Sequence, residues 1–184
     1  MKRSLRSSDR FSKYFLKDNN MVKVSKNDEV LTKYLEQQIS HCSNRQKTFS
    51  YHGKDIYSYS SLLGIIDDKA KVLFVDIYIK SYSNTTAKQT SKLVNVSLSS
   101  GYKVFYLPLH LSPKKVIAFY WEEVEKYIAK YIRAYKAKEQ YKFLIKRTLE
   151  EAEYYANYTK LDKNSEEYKY KNKLTEELFK HCIL

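Results

Sequence analysis

Apolar positions recur every four residues at Leu31, Leu35 and Ile39, and this spacing predicts a helix over residues 28–41, capped by Asn27 or Ser25. Ser43-Asn44 then breaks the pattern. From 47 to 80 the period shortens to that of strands. Thr48–Tyr51 and Asp55–Tyr57 flank His52-Gly53-Lys54, and a glycine in so short a connection signals a hairpin. Leu62–Ile66 is a short apolar run closed by an Asp67-Asp68 turn. Val72–Val75, followed by Ile77 and Ile79, is the strongest strand; its early part is apolar on both faces, which points to a central position in a sheet.

A helix is expected over 85–95, with Thr86 as N-cap and Gln89 as its reciprocal partner, although the alternation of Val94, Val96 and Leu98 also suits a strand. Tyr102–Tyr106 reads as a returning strand. At Ser112-Pro113 the chain turns helical, since serine caps a helix and proline suits its first turn. Ile117, Tyr120, Trp121, Val124, Ile128, Tyr131, Ile132 and Tyr135 fall on one face. Beyond residue 137 the apolar stripe rotates to Tyr141, Leu144, Ile145, Thr148, Ala152 and Tyr155, so a break is expected near 137–140. A last helix is expected from about 165 to 181, with Asn164 and Glu167 in capping-box register. The elements predict an α+β fold: a small antiparallel sheet of four or five strands with flanking helices and a helical C-terminal region. Its parts are a basic N-terminal arm (1–26), an α+β domain (27–110) and a helical region packed on it (111–184).

The 184 residues are 43% hydrophobic, enough for a real core. The balance of 34 Lys+Arg against 21 Asp+Glu leaves +13, which favours an anionic partner. A lysine-rich, low-GC codon bias would produce the same surplus without any binding role. Nineteen tyrosines offer flat faces with polar tips, suited to cores, interfaces and stacked bases alike. Two cysteines make no disulfide framework and fit a reducing cytosol. No run of about 20 apolar residues predicts a membrane span. No apolar signal core follows the basic start Met1–Arg6, so a cytoplasmic location in a bacterial host cell is the expectation.

Besides the basic arm, candidate chemistry falls in four places. In the arm, Lys2, Arg3, Arg6, Arg10, Lys13, Lys17, Lys23 and Lys26 face only Asp9 and Asp18. Between 126 and 147, Lys126, Lys130, Arg133, Lys136, Lys138, Lys142, Lys146 and Arg147 face only Glu139. On one helix, Lys126, Lys130, Arg133, Lys136 and Arg147 would gather within roughly 120°, opposite the Tyr/Ile stripe, and could line a phosphate backbone. The plainer alternative is a solvated face paired with Glu150, Glu151 and Glu153. The second place is Tyr82–Lys92, where hydroxyls, a helix N-terminus, Lys88 and Lys92 suit an anion, although plain capping explains them too. The third is Asp67 or Asp68 with Asp76 and Lys80, a loose echo of a metal-dependent nuclease whose acid and lysine stand one residue pair too far apart. The fourth is His41-Cys42 with His181-Cys182; adjacent side chains diverge, so incidental packing is the reading and no metal or other cofactor is expected.

Gly53-Lys54-Asp55-Ile56-Tyr57-Ser58-Tyr59-Ser60, followed by Tyr82-Ser83-Asn84-Thr85-Thr86-Ala87-Lys88-Gln89, resembles a small domain of unassigned activity found in bacteriophage proteins, over about residues 47–95. The resemblance implies a phage or low-GC bacterial origin. By analogy it also implies a host-takeover or defence-inhibitor protein, such as an anti-CRISPR-like inhibitor acting by protein–protein contact. The expectation carried forward is a non-enzymatic basic protein that binds nucleic acid or a host nucleoprotein through Arg3, Arg6, Arg10, Lys88, Lys92, Lys126, Lys130, Arg133, Lys136 and Arg147.

Overall fold

The structure, a computed structural model, describes residues 22–36, 40–81, 83–162 and 164–180. The chain divides into two compact units, one ending at Leu109 and one beginning at His110.

The first unit is a seven-stranded sheet in which spatial order follows chain order: β1 (Val22–Val24), β2 (His41–Asn44), β3 (Phe49–His52), β4 (Asp55–Ser58), β5 (Ser61–Asp67), β6 (Val72–Asp76) and β7 (Lys103–Leu107). The middle pairings, β2 to β6, are antiparallel, whereas β1–β2 and β6–β7 are parallel. The expected four- or five-stranded antiparallel sheet is therefore corrected to a mixed sheet of seven. The reason is connectivity. A parallel neighbour needs a crossover long enough to bring the chain back to the same end, usually through a helix. Helix α1 (Asn27–Glu36) supplies it between β1 and β2, and helix α2 (Asn84–Ser99) supplies it between β6 and β7. Lys103 thus pairs with Val72, at the start of β6, and Leu107 with Asp76 at its end.

Both helices pack over the sheet. Val30, Leu31 and Tyr34 of α1 and Leu93 of α2 join Phe49, Tyr51, Ile56, Leu63, Ile66, Leu73 and Val75 in one buried cluster. Burying several such side chains at about 1.5–3 kcal/mol each is what holds the unit together. Gly53 takes φ +55° in the β3–β4 hairpin, a conformation glycine adopts without steric cost.

Three local expectations are corrected. The first helix is described over Asn27–Glu36, and His41–Asn44 is a strand. Asn44 does not break structure but organises it: its amide donates to Asn27 Oδ1 (2.8 Å) and Thr48 Oγ1 (2.9 Å), and its carbonyl accepts from the Thr48 and Phe49 backbones. Ile77 and Ile79 belong to a 3₁₀ turn (Ile77–Ser81), not to the strand before it. Helix α2 runs unbroken through residues 94–98, and its N-cap is Ser83, whose hydroxyl accepts from the Thr86 amide at 3.2 Å.

The second unit consists, among the described residues, of three helices: α3 (Pro113–Arg133), α4 (Lys138–Tyr158) and α5 (Glu166–Lys180). Both α4 and α5 pack on α3. The buried faces are Val116, Ile117, Tyr120, Trp121, Val124 and Ile128 of α3, Ile145, Ala152, Tyr155 and Ala156 of α4, and Leu174 and Leu178 of α5. Arg147 pairs with Glu151 at 2.7 Å and Lys171 with Glu153 at 3.5 Å, while the Tyr170 hydroxyl donates to Glu125. No described helix is long and apolar enough to cross a membrane.

Candidate nucleic-acid interface

The cationic segment 126–147 does not lie on one helix. Arg133 ends α3, Ala134 is extended (φ −76°, ψ 133°), and α4 begins at Lys138. The shared arc of about 120° therefore narrows to Lys126, Lys130 and Arg133, which stay within about 60° of one another on α3. Lys136 sits in the connection and Arg147 on a different helix.

Partners divide the set further. Lys126 is held by Glu123 at 2.6 Å and Arg147 by Glu151 at 2.7 Å, each one helical turn away. These two cations are already answered, as a solvated, self-paired face would have them. Lys130, Arg133, Lys136, Lys138 and Lys142 have no carboxylate partner among the described residues. The ammonium groups of Lys130 and Lys138 lie over the rings of Tyr127 (5.6 Å) and Tyr131 (5.2 Å).

The segment around the turn also carries exposed apolar side chains. Ile132 is 48% exposed, Phe143 63% and Tyr135 93%. Ile132 and Tyr135 continue the apolar stripe of α3 by sequence, yet both are exposed. Along the chain, the five cations of the elbow alternate with exposed Ile132 and Tyr135, and Phe143 is exposed in the second turn of α4.

Part of this has a structural explanation. Lys130 and Arg133 occupy the last turn of α3, where the helix dipole favours cations. Lys138 does not fit that account, because it opens α4 at the end where the dipole disfavours a cation. Tyr135 contributes almost nothing to a core.

The other candidates are brought to less. Arg3, Arg6 and Arg10 lie outside the described residues. Lys88 and Lys92 share an exposed face of α2 with Asn84, Ala87, Ser91 and Asn95 around a shallow depression. Lys92 is ion-paired with Asp28 of α1. Thr86 is buried, and its hydroxyl meets Ser58 Oγ at 3.0 Å and Ser83 Oγ at 3.1 Å, so capping and core chemistry occupy it. Gln89 reaches toward the Thr48 carbonyl at 3.5 Å, not back to the helix start.

The nuclease-like set is dispersed. Asp67 Oδ1 accepts from the Lys69 and Ala70 amides, closing the β5–β6 turn. Asp68 Oδ1 accepts from Lys71 Nζ and from the Tyr102 hydroxyl, both at 2.6 Å. Those two donors hold its carboxyl below the usual range, and the same carboxylate raises Lys71. Asp76 Oδ1 accepts from the Tyr78 amide, and β6 ends there, so Asp76 and Lys80 do not share a strand face. Of the two His-Cys pairs, His181-Cys182 lies outside the described residues; Cys42 is buried, and burial pushes its thiol up. Among the described residues no group of three or more His, Cys, Asp or Glu side chains is arranged to hold a metal ion.

The elbow was half visible in sequence. Its cations are plain in the sequence, whereas the exposure of Tyr135 and Phe143 is not, because the periodicity assigns Tyr135 to the buried stripe. Compared with protein-family models, with curated proteins and with solved structures, the chain matches none.

Proposed function

We propose that this protein acts by binding, not catalysis, and that its ligand is single-stranded nucleic acid held at the α3–α4 elbow. The observation that carries the reading is Tyr135, 93% exposed, standing among Lys130, Arg133, Lys136, Lys138 and Lys142, which no described carboxylate neutralises. Phosphates supply the charge such a cluster attracts, and an unstacked base supplies the flat surface an exposed tyrosine prefers to water. Stacking of this kind contributes about 1–3 kcal/mol per base and tolerates any sequence. The arm, with eight Lys/Arg against two Asp over residues 1–26, adds positive charge to the same electrostatic attraction. Lys126, Arg147 and Lys92, each paired to a carboxylate, contribute less than the bare count of cations implied.

A polyanion site of this type is salt-sensitive, because each phosphate contact releases condensed counterions. With about four contacts to a single strand, affinity is expected to fall ~50-fold between 50 and 200 mM salt. Filter binding with a labelled oligonucleotide of about 20 nucleotides, as RNA and as DNA, measures it. Absence of binding at 50 mM salt rejects direct nucleic-acid contact. Retention of a host protein in place of nucleic acid would favour the inhibitor reading in which exposed tyrosines act as anchors.

A further inference from the structure

His41 and His52 stand directly opposite one another in the β2–β3 register. Their rings are 4.9 Å apart, and the two Nδ1 atoms face each other at 3.1 Å. Without an ion, one ring donates its Nδ1 proton and the other accepts, so the two tautomers are locked together. The separation has a second meaning. Imidazole nitrogens bind zinc at about 2.0–2.1 Å, and two of them 3.1 Å apart subtend about 98° at a shared ion. That bite lies between the square and the tetrahedral values. Neither backbone needs to move, because the sheet register itself sets the spacing.

We propose that His41 and His52 form a cross-strand chelate for a borderline divalent transition metal, Zn²⁺ first, bound through both Nδ1 atoms. The ring that carried the Nδ1 proton takes the Nε2–H tautomer, so the neutral pair binds the ion without net proton release. Asp55 stands opposite His52 on the next strand and accepts from the Tyr57 hydroxyl at 3.2 Å, and the Tyr57 ring meets the His52 ring edge-on at 6.1 Å. This places a carboxylate beside the pair to offset the cation's charge, an arrangement common around metal-bound histidines. No third His, Cys, Asp or Glu among the described residues completes a closed set, so water fills the remaining positions and the ion exchanges. The inference is independent of the nucleic-acid reading, since the pair lies in the first unit and the elbow in the second.

The test is a Zn²⁺ titration of the full chain, followed through the side-chain resonances of its four histidines. The Nδ1 signals of His41 and His52 are expected to move together and saturate at one equivalent, while His110 stays in place. Zn²⁺ should raise the Tm, Mg²⁺ should not, and His41→Asn or His52→Asn should each weaken Zn²⁺ binding by about tenfold or more. If neither signal moves, or if only His181 responds, the pair is a hydrogen-bonded contact and the proposal fails. The wild-type titration decides this even where a variant folds poorly.

Discussion

Trp121→Ala is expected to destabilise the helical unit by about 3–5 kcal/mol, the largest effect of any single side-chain truncation there. Trp121 is 2% exposed and sits mid-helix on α3, in the face that α4 and α5 cover. Its neighbours Ile117, Tyr120, Val124 and Ile128 are buried too, so the space it leaves cannot fill with water at low cost, and rigid helices collapse only partly into it. Urea denaturation followed by far-ultraviolet circular dichroism measures the loss. Trp121→Phe, which retains most of the volume, should lose much less. Because Trp121 is the chain's sole tryptophan, its emission in the wild type should be blue-shifted and should shift red through the same transition. A loss below about 1 kcal/mol would mean that α3 does not bury the face assigned to it.

The second large effect is expected at Gly64, in the middle of β5. A Cβ there would lie 2.7 Å from the Phe74 carbonyl oxygen and 3.3 Å from a Leu73 methyl. The carbonyl is part of the β6 backbone, so relief requires the β5–β6 pairing to open. Gly64→Ala should cost about 3 kcal/mol, at the upper end of overpacking penalties. Gly53 and Gly101 provide the contrast. Nothing lies within 4 Å of a Cβ at either position, and their penalty is conformational, from φ +55° and +80°. Each alanine there should cost about 1 kcal/mol. Equal melting temperatures for the three variants would contradict the close approach of β6 to Gly64.

Much of this architecture was legible because its signals are local. The hairpin at Gly53, the core strand Val72–Val75, the Ser112-Pro113 helix start and the break before Lys138 each rest on a few adjacent residues. The parallel edges were not legible. Val22–Val24 is three residues long with a lysine at its centre, and it reads as part of a charged arm. His41–Asn44 is polar by composition and adjoins a helical pattern that reads through residue 41. Val22–Val24 becomes a strand only because β2, well along the chain, offers it a ladder, and His41–Asn44 because it lies between β1 and β3. The cap of α2 is hidden from the sequence for a related reason: Thr86 has the right chemistry for a cap, but Ser58, 28 residues earlier, meets its hydroxyl in the core.

The interface was legible as charge and opaque as geometry. Counting cations treats Lys126 and Lys130 alike, although one is paired with Glu123 and the other is not. Periodicity extends the apolar stripe through Tyr135, although the helix stops two residues earlier. Partnership and exposure are properties of the folded chain, and they select the elbow from the longer list.

The salt dependence of binding in two charge-neutralised variants tests the elbow most directly. Arg133→Gln/Lys136→Gln/Lys138→Gln removes three elbow cations; Lys126→Gln/Arg147→Gln removes two that carboxylates already hold. For a single strand, the log–log slope of affinity against salt should become shallower by about 2 in the first variant. In the second it should stay near the wild-type value. Wild-type slopes in both variants, or an equal loss in the paired-cation variant, would contradict the assignment of the nucleic-acid site to the α3–α4 turn.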